Sequence, residues 1–339
     1  MLRYLLLIIQ KNLTPCSFHK SSYTQLKYEK AFGETMWHQI EQAISKEIGL
    51  PFTIKEKEPL SFGAASGNPI NANDQPLNLS FKISDGNRHY FVKLNSKENL
   101  INFQAEAYSL HQLKKLTHIA CPEVTTIGIS LDKSFLVLDY IAFSKAKPVL
   151  WYQLGQQLAQ MHQETSHGQF GWQHDNFIGN TIQPNHWSSN WTTFFSEQRI
   201  AWQLQLLSEK SILLGSISHI AKVCHDALLH HYVTPCLVHG DLWQGNTGFT
   251  FEQGMIFDPA CYYGDREVDI AMTELFGQFP DDFYHGYQAE YPLDDGYDQR
   301  KLVYNFYHIL NHANIFGGIY IEQAKATLSR IMSISTTTH

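Results

Sequence analysis

Residues 237–246 read Leu-Val-His-Gly-Asp-Leu-Trp-Gln-Gly-Asn, and residues 256–260 read Ile-Phe-Asp-Pro-Ala. An apolar run delivers Asp241, a polar loop leads to Asn246, and a second short apolar strand ends at Asp258. Phosphoryl transfer needs one carboxylate to accept a hydroxyl proton, while an amide oxygen and a second carboxylate hold Mg²⁺ against the phosphates of ATP. The pattern therefore predicts Asp241 as the catalytic base and Asn246 and Asp258 as metal ligands.

Protein kinases place an Asp and an Asn at this same spacing in their catalytic loop, and a metal-binding Asp after a short hairpin. Here Gly240 stands where protein kinases have Arg, and Asp-Pro-Ala at 258–260 replaces Asp-Phe-Gly. The pattern is thus typical of small-molecule kinases that share the kinase-like fold. An ordinary turn capped by Asp241 is the alternative for the letters His-Gly-Asp alone. Asn246 and Asp258 favour the functional interpretation.

The composition is that of a folded enzyme. The chain has 339 residues, of which 43% are apolar and 17% charged, so it is long enough for about two domains. Its net charge of −7 argues against a general nucleic-acid or anionic-membrane binder, because both kinds of partner attract a positive face. The five cysteines form no Cys-x-x-Cys pair, and a reducing cytoplasm is the expected compartment.

The first 35 residues differ in character from the rest. Arg3 and the apolar run at 4–9 look like a truncated signal peptide, but the run is short and no clear cleavage site follows it. Met36 opens a segment whose apolar residues at 37, 40, 44 and 48 follow helical spacing. We interpret Met36 as the true start of the protein and residues 1–35 as a disordered or spurious extension. A cleaved export signal is the alternative.

The order of elements predicts the fold class. Residues 50–141 are mostly strand, with a hairpin at 81–94 that turns at 84–87, a helix from about 98 to 116, and strands at 122–124 and 134–140. Helices are predicted near 149–164, 188–208, 217–232, 267–277, 298–314 and 320–332. We expect an α+β, bilobal, protein-kinase-like fold, with a strand-rich N-terminal ATP-binding lobe at 36–141 and a mainly helical catalytic and substrate lobe at 142–339.

Lys93 ends an apolar strand, and Glu106 lies within the helix that follows. In kinases a strand Lys neutralises the phosphates of ATP and is held in place by a Glu of the next helix. A solvated Lys and an exposed helical Glu are the alternative for each residue alone. Their position ahead of Asp241 and Asp258 favours the nucleotide-binding pair.

Several further segments accompany the catalytic loop. They are Phe-Val-Lys at 91–93, Ala-Glu-Ala at 105–107, Gly-Gln-Gln-Leu-Ala-Gln-Met-His at 155–162, Phe-Gly at 170–171, Asp-Asn-Phe-Ile-Gly-Asn-Thr-Ile-Gln-Pro-Asn at 175–185, Trp191, Phe-Phe at 194–195, Arg199, Tyr-Tyr-Gly at 262–264, Arg-Glu at 266–267 and Asp-Ile-Ala-Met at 269–272. With Trp243 two residues after Asp241, the chain from about Met36 to its end resembles the fructosamine kinase (ketosamine 3-kinase) family, a relative of the aminoglycoside and choline kinases.

The resemblance implies roles for further residues. The strand end formed by Asp139, Tyr140 and Ile141 would present backbone groups to adenine between the lobes. Asp269 would bond the backbone of the catalytic loop, with a helix N-cap as the alternative role, and His239 would support the same loop.

Trp243 is expected to bind substrate, because its apolar face can pack against a ketose and a protonated amine. A core residue that braces the catalytic loop is the alternative. Family members also carry a Gly-Gly-x-Ile-Asn-type loop over the phosphates. Here residues 67–71 lie too far upstream of Lys93, and residues 75–78 have the spacing without a glycine.

The resemblance implies an ATP- and Mg²⁺-dependent kinase that phosphorylates the 3-hydroxyl of ketosamines such as ribulosamine or fructosamine adducts. In the family this makes the adduct labile and restores the free amine, which implies a role in protein deglycation. The acceptor would be a glycated lysine, a protein or a small amine, with no nucleic-acid or membrane partner, and the enzyme a monomer or homodimer. The alternatives are a kinase of an aminoglycoside- or choline-like amine and a nucleotide-binding pseudokinase.

Overall fold

The N-terminal part of the chain forms an antiparallel sheet of five strands. A computed structural model describes residues 33–60 and 79–335. The elements of this part are α1 (Glu34–Ile48), β1 (Glu56–Leu60), β2 (Leu79–Ser84), β3 (His89–Ser96), α2 (Leu100–Leu116), β4 (Val124–Ser130) and β5 (Lys133–Asp139). The strand order in the sheet is β1-β2-β3-β5-β4.

The two faces of the sheet follow the alternation of strand side chains. Phe135 and Val137 of β5 pack in the same core as the apolar stripe of α1. Leu136 and Leu138 of the same strand pack against α2 through Phe103 and neighbouring side chains. The sheet is therefore covered by one helix on each face. The Lys93 side chain lies on the face that α2 covers, where it contacts Glu106 of that helix.

The predicted hairpin is present, and its turn is stabilised by a side chain. Ser84 pairs with His89 at the end of the β2–β3 ladder. Asp85 Oδ1 accepts hydrogen bonds from the backbone N–H groups of Asn87 and Arg88, at 2.9 and 2.7 Å. An Asp that bonds the backbone two and three residues ahead closes such a turn, which is why the sequence signal was reliable here.

The C-terminal part is mainly helical and carries short hairpins around the predicted catalytic segment. The elements are α3 (Pro148–Glu164), β6 (Asn176–Ile178), β7 (Thr181–Gln183), α4 (Trp191–Phe195), a π-helical segment (Ser196–Ala201), α5 (Trp202–Glu209), α6 (Ile217–Ala227), β8 (Cys236–Val238), β9 (Thr247–Phe249), β10 (Gly254–Ile256), β11 (Tyr262–Gly264), α7 (Glu267–Leu275), α8 (Asp281–Glu290), α9 (Tyr297–Phe316) and α10 (Ile319–Ser335). Strand β8 pairs with β11, β9 with β10, and β6 with β7, and each pair is antiparallel.

Helices α3 and α8 approach each other closely enough for their backbones to touch. A Cβ atom on Gly155 would overlap the carbonyl oxygen of Phe283, and one on Gly286 would overlap the carbonyl oxygen of Tyr152. Each helix therefore contributes a glycine at the point of contact. This approach brings the C-terminal half of α3 beside the catalytic segment.

Some elements differ from the prediction. Strand β1, the β6–β7 hairpin and helix α8 were not predicted, and α6 ends at Ala227 instead of near residue 232. The helix predicted over 188–208 begins at Trp191, where the Asn190 side chain accepts the N–H of Thr193 at 2.8 Å, and it is interrupted by the π-helical segment.

The predicted boundaries stay predictions. Helix α1 begins at Glu34, two residues before Met36, while residues 1–32 lie outside the described part of the chain. The candidate phosphate loops at 67–71 and 75–78 also lie outside it. Across residues 33–60 and 79–335, no helix has the length and apolar character needed to cross a membrane.

Candidate active site

The catalytic loop begins where β8 ends, and Gly240 permits its sharp turn. Gly240 has φ of +80°, and a Cβ atom there would overlap the carbonyl oxygen of Ala260. Only glycine adopts this conformation without strain and also allows the close approach. The N–H of Ala260 donates to the His239 carbonyl at 2.9 Å, so the loop and the segment after Asp258 lie side by side.

Asp241 and Asn246 contact each other within the loop. Asn246 Nδ2 donates to the backbone carbonyl of Asp241 at 2.8 Å and to its Oδ2 at 3.1 Å. The N–H of Phe257 donates to the Asn246 carbonyl at 3.0 Å. Asn246 therefore lies beside the strand end that carries Asp258, and its amide oxygen is the atom left to coordinate a cation.

Asp269 fixes the backbone of the catalytic loop. Its two oxygens accept the N–H groups of His239 and Gly240, at 2.7 and 2.9 Å, and Oδ2 also lies 3.2 Å from His162 Nε2. Burial raises the pKa of the Asp269 carboxyl, but hydrogen bonds from His162 and from the His239 N–H outweigh this effect, and the pKa lies below its usual value. Asp269 lies in the first turn of α7, whose N-cap is Arg266.

His239 links the catalytic loop to the strand end before Asp258. Its Nδ1 accepts the N–H of Asp241 at 3.2 Å, and its Nε2 lies 3.0 Å from the Phe257 carbonyl. These partners imply the tautomer that carries hydrogen on Nε2. Burial lowers the pKa of His239, which keeps the ring neutral in this bridging position.

Lys93, Glu106 and Asp258 form one cluster across the cleft between the two parts of the chain. Lys93 Nζ lies 2.7 Å from Glu106 Oε1 and 2.6 Å from Asp258 Oδ1. Burial disfavours the charged Lys93 ammonium, but the Asp258 and Glu106 carboxylates outweigh this effect and hold its pKa above the usual value. The ammonium is therefore charged and directed toward the predicted metal ligand.

The residues predicted to hold Mg²⁺ are suited to it. Asp258 offers a carboxylate and Asn246 an amide oxygen, which are hard ligands that Mg²⁺ prefers. The Asp258 side chain is 44% exposed, and one of its oxygens, Oδ1, contacts Lys93. Asp258 also has φ of +56°, a left-handed conformation that is uncommon for a residue other than glycine and frequent at functional sites.

The predicted base has a raised proton affinity. Burial raises the pKa of Asp241 to about 7; the negative charges of Asp258 and Asp269 act in the same direction, and the Asn246 hydrogen bond opposes them. A carboxylate that binds and releases a proton near neutral pH is well matched to general-base catalysis.

Trp243 is half-buried at the edge of the catalytic loop. Its ring lies edge-on to Phe276, with centroids 6.4 Å apart, and a Cβ atom on Gly245 would overlap it. Phe276 in turn packs against His312 of α9, at 4.3 Å between centroids. The indole is held by these contacts near Asp241, and its substrate role stays a prediction.

The strand end that was predicted to contact adenine pairs within its own lobe. The N–H of Asp139 donates to the Glu123 carbonyl at 3.0 Å, and that of Tyr140 donates to the His89 carbonyl at 3.3 Å. These two N–H donors already have partners, and the adenine contact of Asp139, Tyr140 and Ile141 stays a prediction.

The sequence analysis did not single out Phe143. Its side chain is 46% exposed, and its ring stacks on Phe257 with centroids 5.6 Å apart and an angle of 22° between the ring planes.

Buried amide side chains hold the backbone just after Asp258. Asn176 Nδ2 donates to the Cys261 carbonyl at 2.7 Å, and Gln183 Nε2 donates to the Ala260 carbonyl at 3.1 Å. Tyr307 of α9 donates to Gln183 Oε1 at 2.7 Å. The segment 175–185 therefore holds the backbone next to the predicted metal ligand Asp258 through side-chain hydrogen bonds. Its dense Asn and Gln content was the signal in the sequence, but the partner carbonyls could not be inferred from it.

Known proteins resemble this chain over most of its length. The model of the fructosamine kinase family matches residues 36–334. A probable ketoamine kinase of Vibrio parahaemolyticus is 46% identical over 299 residues, which cover 88% of this chain and 100% of that protein. The crystal structure of a candidate fructosamine-3-kinase of Haemophilus somnus has a TM-score of 0.80 at 36% identity, covering 88% of this chain and 98% of that one.

A more distant structure shares the fold alone. The aminoglycoside phosphotransferase APH(4)-Ia, in a ternary complex with ADP and hygromycin B, has a TM-score of 0.56 at 12% identity, covering 86% of this chain and 97% of that one. These similarities confirm the predicted α+β, bilobal, kinase-like fold.

Proposed function

Because this chain belongs to the fructosamine kinase family, a family of phosphotransferases that act on a sugar hydroxyl, we propose that it transfers the terminal phosphoryl group of ATP to the 3-hydroxyl of a ketosamine. The observation that carries the proposal is the cluster in the cleft. Lys93 lies 2.6 Å from Asp258, and Asp241 and Asn246 lie on the adjoining loop. In this proposal Lys93 would bind phosphate, Asn246 and Asp258 would bind the metal, and Asp241 would act as the base, all within one cleft.

In the proposed reaction Asp241 accepts the proton of the acceptor hydroxyl. The hydroxyl oxygen bonds to the terminal phosphorus of ATP as the bond from that phosphorus to the oxygen of ADP breaks. Lys93, held by Glu106, directs positive charge toward the phosphates. Asn246 and Asp258 would hold Mg²⁺, which neutralises phosphate charge when bound. Asp269 and His239 keep the loop in place during the transfer.

The proposed acceptor is an amine-linked ketose on lysine, on a protein or on a small amine. The Trp243 ring offers a flat apolar face close to Asp241, suited to the carbons of the ketose, and a protonated amine next to the sugar is attracted by an indole face. Phosphorylation at the 3-hydroxyl would make the adduct labile and release the amine, so deglycation is the proposed role. The cytoplasm is the proposed compartment, and the four cysteines at 121, 224, 236 and 261 are free thiols, as a reducing compartment favours.

The experiment compares acceptors in an ATP-turnover assay. Purified protein is given Mg²⁺-ATP with a ribulosamine or fructosamine of lysine, with an aminoglycoside, with choline, or with no acceptor. We expect ADP formation only with the ketosamines, a 3-phosphate by nuclear magnetic resonance, and later release of lysine. Preference for the aminoglycoside or choline would assign the enzyme to another acceptor class. Nucleotide binding without turnover on any acceptor would indicate a pseudokinase.

A further inference from the structure

His308 is a buried histidine of α9 that faces the proposed base. It is 4% exposed, and its Nδ1 lies 4.0 Å from Asp241 Oδ1. Nδ1 is buried and has no hydrogen-bond partner within the described part of the chain. A buried polar atom without a partner destabilises the folded state. Such an atom next to a catalytic carboxylate therefore suggests a role that is exerted during turnover.

The surroundings of His308 fix its position and keep it neutral. The neighbouring Tyr307 is bonded to Gln183, and the His308 carbonyl lies 2.9 Å from His312 Nδ1. The charged groups near the ring are Asp241, Asp269 of α7 and Arg199 of the π-helical segment. Burial, together with His312 and Arg199, lowers the pKa of His308 to about 3, although Asp269 opposes them. A neutral ring carries one hydrogen, and a hydrogen on Nδ1 is favoured beside a carboxylate.

The gap between the two residues is small. A charge-assisted N–H···O bond is about 2.8 Å long, so a shift of about 1 Å or a rotation of the Asp241 carboxylate would close it. The other oxygen, Oδ2, is already held by Asn246 Nδ2 at 3.1 Å. A second donor on Oδ1 would fix the rotation of the carboxylate plane.

We propose that His308 is a positioning residue for Asp241, whose Oδ1 accepts a hydrogen bond from His308 Nδ1–H during turnover, so that the carboxylate is oriented toward the acceptor hydroxyl. This inference rests on the proposed function, since it requires Asp241 to be the base. His308 does not exchange a proton with substrate in this scheme. It acts only through the orientation of Asp241.

Three substitutions separate positioning from packing. His308→Asn places an amide nitrogen where Nδ1 lies, His308→Gln moves it toward the place of Nε2, and His308→Leu removes it. We expect His308→Leu and His308→Gln to lower kcat by about ten- to a hundredfold, because a misplacement of about 1 Å near the chemistry has effects of that size. His308→Asn should keep kcat within about threefold of the unaltered protein, as one donor replaces another at the same place. The KM for ATP should stay unchanged in all three.

The melting temperature and a double substitution supply readouts that a packing role would not give. His308→Leu removes an unpaired buried nitrogen, so its Tm should be unchanged or higher. In an Asp241→Asn background, His308→Leu should cause no further loss of kcat, because both changes affect the same group.

The outcomes are distinguishable. Equal losses of kcat in the Asn and Leu variants, full activity in His308→Leu, or additive losses with Asp241→Asn would each overturn the positioning role. If His308→Leu fails to fold, the positioning role is tested by comparing His308→Asn with His308→Gln. Equal kcat values for these two variants would overturn that role. If Asp241→Asn keeps full activity on a ketosamine, Asp241 is not the base and the positioning role is overturned, while the proposed function stands. If the unaltered protein shows no ketosamine turnover, the proposed function has failed instead.

Discussion

Lys93 Nζ lies 2.6 Å from Asp258 Oδ1, and this ion pair joins the N-terminal sheet to the strand end of the helical lobe. Glu106 Oε1 contacts the same ammonium at 2.7 Å. Any Mg²⁺ that Asp258 binds must share this carboxylate with Lys93 or displace it. If Asp258 and Lys93 have the proposed roles, metal binding, nucleotide binding and the contact between the lobes are coupled through one carboxylate.

Asp258→Ala should weaken the binding of Mg²⁺-ATP more than any change at the base. The substitution removes a hard oxygen ligand, and since outer partners of metal ligands alone change affinity by about 10- to 100-fold, the Mg²⁺ concentration for half-maximal turnover should rise at least tenfold. Glu106→Gln is the matched control, because it alters the other partner of Lys93 and should raise the KM for ATP without this shift. An unchanged Mg²⁺ titration for Asp258→Ala would rule out the assignment.

Asp241→Asn should reduce turnover while leaving ATP binding intact. Loss of a general base typically costs about 10²- to 10⁴-fold in rate, and the amide preserves the shape of the side chain. The exposed Asp132→Asn is the control for removal of a negative charge elsewhere on the surface. Near-normal turnover of Asp241→Asn with a ketosamine would show that another group accepts the proton.

The pH dependence of kcat/KM should report the same carboxyl. Burial raises the pKa of Asp241 to about 7, and only the unprotonated form can accept a proton. At saturating ATP, kcat/KM for the ketosamine should therefore fall by about tenfold for each pH unit below the pKa of this single base. A flat profile down to about pH 5 would contradict this.

The stability of the folded protein should depend on pH in the opposite direction to kcat/KM, because protonation of Asp241 favours the folded state. A folded-state pKa above the unfolded value means that the folded state binds the proton more tightly, so stability falls as pH rises from about 4 to about 7. Because Asp241→Asn abolishes this loss, its Tm at about pH 8 should be equal to or higher than that of the unaltered protein. A lower Tm would mean that the carboxylate is stabilised by contacts beyond its hydrogen bond with Asn246.

Gly155→Ala should impair catalysis from outside the cleft. Its methyl group would force α3 away from α8, and overpacking of this kind costs about 1–3 kcal/mol. His162 of α3 bonds both Asp269 and Tyr287 of α8, so the loop anchored by Asp269 should shift and kcat should fall. Gly168→Ala is the control, since a Cβ atom there meets nothing within 4 Å. Equal Tm and kcat for the two variants would refute the prediction.

Trp243→Ala should raise the KM for the ketosamine and lower kcat/KM, with ATP affinity and Tm nearly unchanged. The reason is that the half-buried ring packs over Gly245 and against Phe276 at the edge of the catalytic loop. Trp243→Phe retains an apolar face and should lose less. If Tm and ATP binding fall together with activity, the indole braces the loop and the amine is recognised elsewhere.

The sequence predicted those features whose signals are local. The β2–β3 hairpin follows from strand alternation and the Asp85 turn, and the spacing of Asp241 and Asn246 is set by a loop of fixed length. Helix α8 was not recognised because Gly286 interrupts its pattern; that glycine is required by the close approach to α3 and not by the helix itself.

The remaining features depend on contacts between distant segments. His308 has an ordinary helical position, and only the packing of α9 beside the catalytic loop brings its ring to Asp241. In the sequence, Gln183 is one residue of a polar segment. Its hydrogen bond to the Ala260 carbonyl is seen only in the three-dimensional structure. No periodicity or spacing in one chain encodes such pairings.

The bond from Tyr307 to Gln183 has a consequence for engineering the acceptor range. Gln183 also holds the Ala260 carbonyl, so α9 is locked in rotation about its own axis relative to the metal-binding segment. If α9 were transferred to another kinase, His308 would align with the catalytic carboxylate only if Gln183 were transferred as well, because Tyr307 of the helix needs it as a partner. Gln183 and the helix between 297 and 316 therefore form the smallest exchangeable unit on this side of the cleft.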